Sequence, residues 1–122
     1  MTMLMKTVCV DIDGTLVHYE KWQDENHFGK LVPGAVEAMK KLKGKGWFII
    51  IYTTRGNKEA VKKFLDNNEI VYDCINENPY QPDNAIGGKP LADVYIDDRA
   101  ITFDGNWWTA VDKIVNFKTW EQ

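Results

Sequence analysis

Residues 8–16 read Val8-Cys9-Val10-Asp11-Ile12-Asp13-Gly14-Thr15-Leu16, and the other segments find their places around them. Val8, Cys9 and Val10 form an unbroken small or β-branched run. Such a run reads as the end of a strand buried on both faces. Two carboxylates follow with one residue between them. In extended backbone, residues i and i+2 point to the same side, so Asp11 and Asp13 aim at one point just past the strand. Like charges brought that close repel, and a divalent cation or a shared proton relieves the repulsion. Gly14 permits a turn that most residues resist, and Thr15 sets a hydroxyl beside it. On these letters alone, an ordinary strand ending in a polar turn fits as well, because Asp and Gly are common turn residues.

The chain has 122 residues, which implies one compact domain over residues 1–122 with a core of its own. Hydrophobic residues at 44% and charged residues at 27% are ordinary for a globular protein. The net charge of −3, with no basic block, argues against a large nucleic-acid surface but leaves room for one phosphate in a local pocket. Cys9 and Cys74 sit in apolar, strand-like surroundings and read as buried thiols, which suits a reducing cytoplasm. Residues 1–5 are apolar but short, Lys6 interrupts them, and no stretch approaches a membrane span.

Taken in order, residues 6–10 form the first strand, and residues 17–29 form a loop with a short turn or ribbon over the carboxylates. Pro33 and Gly34 open a helix with Val36, Met39 and Leu42 on one face, and Gly44 and Gly46 end it. Residues 47–52 are apolar throughout, marking a central strand, and end in Thr53-Thr54-Arg55-Gly56. A helix spans residues 57–68, capped by Asn57, with Val61, Phe64 and Leu65 inward. Residues 70–72 read as a third strand, 76–90 as a loop, 92–96 as a fourth strand and 100–103 as a short fifth. A closing helix spans residues 107–117 with Trp108, Val111, Ile114 and Val115 as its core stripe.

This alternation predicts an α/β fold with a mostly parallel sheet and right-handed crossovers. Ligands in such folds bind at the carboxyl ends of the strands. The first strand ends in Asp11 and Asp13, the second in Thr53, and the fourth in Asp97 and Asp98. Three strands therefore deliver polar groups to one edge.

The string Asp11-Ile12-Asp13-Gly14-Thr15-Leu16 after an apolar strand resembles the first motif of the haloacid dehalogenase superfamily of phosphohydrolases. The likeness extends over nearly the whole chain. Ile49-Ile50-Ile51-Tyr52-Thr53 resembles the second motif, Lys89 the third, and Tyr95-Ile96-Asp97-Asp98 the fourth. The resemblance implies a Rossmann-like three-layer α/β/α core with a mostly parallel five-stranded sheet. It also implies a magnesium-dependent phosphomonoesterase working through an aspartyl phosphate. Asp11 would be the nucleophile, and Asp13 the general acid and base. Thr53, with Thr54 beside it, would hold phosphate, and Lys89 would neutralise its charge and restrain Asp11. Magnesium would sit on the Asp11 carboxylate, the Asp13 carbonyl and Asp97, with Asp98 supporting those ligands from behind or serving as an alternate one.

Two departures from the family pattern stand out. Lys89 precedes Asp97 by eight positions with no helix between them. That run reaches about 26 Å when extended, so the loop must fold back to bring Lys89 to the site. A similarly short spacing occurs in the deoxyribonucleotidase branch of the superfamily. Neither insertion point can hold a cap domain, so the site is expected to be open. Specificity then falls to residues 19–28, residues 76–90 or a neighbouring subunit. His18, Tyr19, Trp22, Arg55 and Arg99 are candidate substrate contacts, and Trp22, Trp107 and Trp120 are candidates for a homo-oligomer contact. The expected substrate is a small nucleotide or sugar phosphate. The alternative is a non-catalytic module that binds a metal and a phosphorylated ligand or partner.

Overall fold

The computed structural model describes residues 5–122, so most of the apolar opening run, residues 1–4, lies outside the described residues. The chain runs β1 (Thr7–Val10), α1 (Ala35–Gly44), β2 (Phe48–Ile51), α2 (Lys58–Asn67), β3 (Cys74–Ile75), β4 (Val94–Ile96), α3 (Trp107–Val115). The four strands form one all-parallel sheet in the order β3-β2-β1-β4. The result is a Rossmann-like α/β fold.

β1 and β2 hold the centre because both of their faces are apolar, and every residue of the two is buried. On one face Val8, Val10, Ile49 and Ile51 pack with Met39 of α1 and with Val61 and Leu65 of α2. On the other, Cys9, Phe48 and Ile50 meet Tyr52, Cys74 and Ala92. Two successive right-handed crossovers in one direction put α1 and α2 on the same face. The return from β3 to β4 runs in the opposite direction and so covers the opposite face. Its Tyr80 ring meets Phe48 edge-on at 5.4 Å. That connection is irregular, and it stands where a second helical layer was expected.

Three expectations are corrected. The third strand is not at residues 70–72. Ile70 is buried in the core, its amide bonded to the Leu65 carbonyl as the chain leaves α2 through Glu69 at φ 58°. Pairing with β2 starts only after Asp73, whose carboxylate accepts from the Ile49 amide at 2.7 Å and from Lys43 at 2.6 Å. No fifth strand forms at residues 100–103. Asp97 Oδ1 accepts from the Arg99 amide at 2.9 Å, and the turn at Asp98 and Arg99 takes the chain off the sheet. β4 is therefore an exposed edge strand.

The closing helix is also not docked by its apolar stripe. Trp108 is 84% exposed, Val115 76% and Ile114 58%, and Ala110 is the residue that α3 buries. Periodicity shows which face of a helix is apolar but not what covers it. Among the described residues, no helix is long and apolar enough to cross a membrane.

Leu65 is fully buried beneath α2, whereas Val115 faces solvent. Leu65→Ala should cost about 2–5 kcal/mol in denaturant unfolding, while Val115→Ala should stay within about 0.5 kcal/mol. A comparable loss for Val115→Ala would mean that α3 packs on the core.

Candidate active site

Chain order reverses at β1, which lies between β2 and β4. That reversal opens a crevice at the carboxyl ends of β1 and β4, the usual ligand position in open parallel sheets. The Asp11 amide donates to the Ile96 carbonyl at 3.0 Å, tying the first residue past β1 to the last of β4. Asp11 and Asp97 thus emerge side by side. One carboxylate oxygen from each of Asp11, Asp97 and Asp98 falls within 4.8 Å of the others.

Beyond Asp11 the chain curls tightly, and the Ile12 carbonyl receives the amides of Thr15, Leu16 and Val17. Gly14 is required here twice over. Its φ is +87°, and a Cβ would collide with the Asp98 carboxylate. The Thr15 hydroxyl reaches Asp11 Oδ2 at 3.5 Å. Asp98 Oδ1 is buried with no hydrogen-bond partner. Burial first, then the charge of Asp97, pushes the Asp11 carboxyl up to about 7. Burial, with Asp97 adding to it, raises Asp98 as well. The donors are all oxygen and crowded, and Asp98 keeps one buried oxygen unpartnered, which suits a hard divalent cation.

Asp13 turns away from this cluster. Its two oxygens accept from Arg55 Nε and Nη2, each at 2.8 Å. The buried guanidinium also donates to the carbonyls of His27 at 2.8 Å and Glu25 at 3.3 Å. Phe28 and Trp22 lie on it, with ring centroids 3.9 and 5.0 Å away. Arg55 was expected as a substrate contact. It joins the end of β2 to residues 22–28, making a charge-assisted anchor for that loop. Asp13 and Arg55 form the floor of a cleft of about 470 Å³, also lined by His18, Tyr19, Trp22 and Glu121.

Thr53 is buried, and its hydroxyl oxygen accepts from the Arg55 amide at 3.1 Å. Asn76 clamps Thr53 by two bonds, accepting from its amide at 2.8 Å and donating to its carbonyl at 3.0 Å. Asn76 adopts φ 58° to do so. Thr54 is exposed. Arg99 lies mostly in solvent, 3.9 Å from Asp98. Lys89 sets its ammonium 4.6 Å from the Tyr95 ring centroid. Tyr95 pairs with Cys9 in the sheet, two residues before Asp11.

Sequence reasoning missed the roles of Asn76, Trp120 and Glu121. For Asn76 the only local signal was its place at the start of the loop over residues 76–90. Trp120 and Glu121 come from the far end of the described chain and carry no motif.

No family model matches this chain. No curated protein matches it either. The chain is similar in fold to a solved structure, a conserved protein from Bacteroides thetaiotaomicron, at 25% sequence identity and a TM-score of 0.65. The match covers 94% of this chain and 93% of that one.

Proposed function

We propose that this protein is a capless, magnesium-dependent phosphomonoesterase of the haloacid dehalogenase type, acting on a small phosphorylated metabolite. The observation that carries this reading is the Asp11, Asp97 and Asp98 cluster at the reversal of strand order, with a buried oxygen of Asp98 left unpaired. The residues fit magnesium, which Asp11, Asp97 and Asp98 would hold, joined by the Asp13 carbonyl if the family resemblance carries over. Bound there, the cation would offset charge on the transferring phosphoryl oxygens.

In the first half-reaction an Asp11 oxygen attacks phosphorus, the bond to the leaving oxygen breaks, and Asp13 gives that oxygen a proton. In the second, Asp13 takes a proton from water as water attacks the aspartyl phosphate, freeing phosphate and Asp11. Thr53 accepts from a backbone amide, which leaves its own proton for a phosphate oxygen. Asp13 must part from Arg55 to reach the leaving group. The cleft floored by Asp13 and Arg55 is where that group would lie. Burial pushes the Cys9 thiol up to about 11, so it stays protonated and inert. The hold of Arg55 on Asp13 favours a second reading, a module that binds metal and a phosphorylated ligand without turnover.

Hydrolysis of an aryl phosphate with magnesium tests the proposal. Asp11→Asn should lower kcat by at least about a thousandfold. Phosphate binding with equal, background turnover in both proteins would support the second reading instead.

The raised Asp11 carboxyl also predicts a pH dependence. Folded Asp11 keeps its proton up to about pH 7, whereas the unfolded chain loses it near 3.8. Between those values the folded state binds more protons, so cation-free stability falls as pH rises and the loss is complete above about 7. Denaturant midpoints should therefore drop across this window relative to Asp11→Asn. Saturating magnesium, which binds the ionised form, should cancel the drop. Parallel cation-free profiles for the two proteins would contradict the burial of Asp11.

A further inference from the structure

Residues 119–122 form a turn closed by the Gln122 amide on the Thr119 carbonyl and the Thr119 amide on Gln122 Oε1, both at 3.0 Å. The turn presents Trp120 and Glu121 to the loop that carries the catalytic carboxylates. Trp120 Nε1 donates to the Gly14 carbonyl at 2.7 Å, and its ring lies 5.3 Å from that of His18. Glu121 Oε1 pairs with His18 Nδ1 at 2.8 Å, and its Oε2 accepts from the Tyr19 amide at 3.1 Å. Four contacts thus bridge more than 100 positions of sequence, from Gly14 through Tyr19.

Their placement is as telling as their number. Trp120 borders a hollow of about 340 Å³ shared with Gly14, Thr15, Asp97 and Asp98. Glu121 borders the cleft floored by Asp13 and Arg55. The pair therefore straddles the cation side and the leaving-group side of one site. The stripe of α3, just before this turn, is exposed, so packing of that helix does not hold the turn in place. The specific contacts of Trp120 and Glu121 do.

We propose that Trp120 and Glu121 form a strap that stands in for the missing cap, positioning residues 14–19 and selecting the leaving group at an otherwise open site. The strap rests on the phosphatase reading. Trp120 acts as a positioning residue through the Gly14 carbonyl, next to Asp13. Glu121 orders His18 and Tyr19, which line the leaving-group cleft. Half of the Trp120 surface stays uncovered, leaving apolar ring at the rim for an incoming group.

The test uses the whole chain with two variants. W120F keeps an aromatic ring and removes the indole donor, and E121A removes both carboxylate contacts. Amide exchange at Tyr19 is read by hydrogen–deuterium exchange. The ratio of kcat/KM for a nucleoside monophosphate to that for a small aryl phosphate is read with magnesium present. E121A should speed Tyr19 exchange by about tenfold, the loss of one charge-assisted hydrogen bond. Both variants should shift the substrate ratio by at least about fivefold, chiefly through KM. An active wild type whose ratio moves less than about twofold in both variants, with Tyr19 exchange unchanged, would overturn the strap and leave the phosphatase reading intact. A wild type inactive on every phosphomonoester would overturn both.

Discussion

Three carboxylates share one crevice, and most of the site follows from that crowding. At a separation of 4.8 Å and an effective dielectric of 20, ionised Asp11 and Asp98 would repel by about 3–4 kcal/mol, and solvent screens the exposed Asp97 to less. A fully charged, unpartnered triad would consume much of the roughly 5–15 kcal/mol that stabilises a domain of ordinary size. The chain must therefore hold protons there or a cation. Burial first, and the charge of Asp97 after it, raises the Asp11 and Asp98 carboxyls, and one buried Asp98 oxygen is left without a partner. Arg55 supplies positive charge nearby but spends it on Asp13, away from the triad.

The crowding depends on topology. Had the sheet grown in one direction only, Asp97 and Asp98 would emerge at its far edge, strands away from Asp11. The return from β3 across β2 and β1 brings β4 to the free side of β1. The backbone bond from Asp11 to Ile96 then fixes the two acidic ends together. Gly14 completes the arrangement, because any side chain there would displace Asp98. The same return leaves one face of the sheet under irregular chain and β4 as an open edge.

The central strands, both sheet-packed helices and the residues of the acidic crevice were legible in the sequence. Each is encoded locally, by apolar runs, by helical spacing or by carboxylates at strand ends. What was not legible is long-range. The apolar residues 70–72 look like a strand, but Ile70 is used to leave α2. The stripe of α3 is well formed, yet among the described residues it stays exposed. Arg55 could not be matched to Asp13 by spacing, since 42 positions separate them. Trp120 and Glu121 meet Gly14 and His18 only because the fold returns the chain there. Lys89 matched a motif by letter, but its ammonium rests on Tyr95.

The most direct test of a shared cation site is anomalous diffraction from crystals soaked with manganese, a scattering substitute for magnesium. The account predicts one strong peak at oxygen-ligand distance, about 2.0–2.3 Å, from both Asp11 and Asp97, lost in Asp97→Asn. A saturated crystal with no peak between those two carboxylates would contradict it.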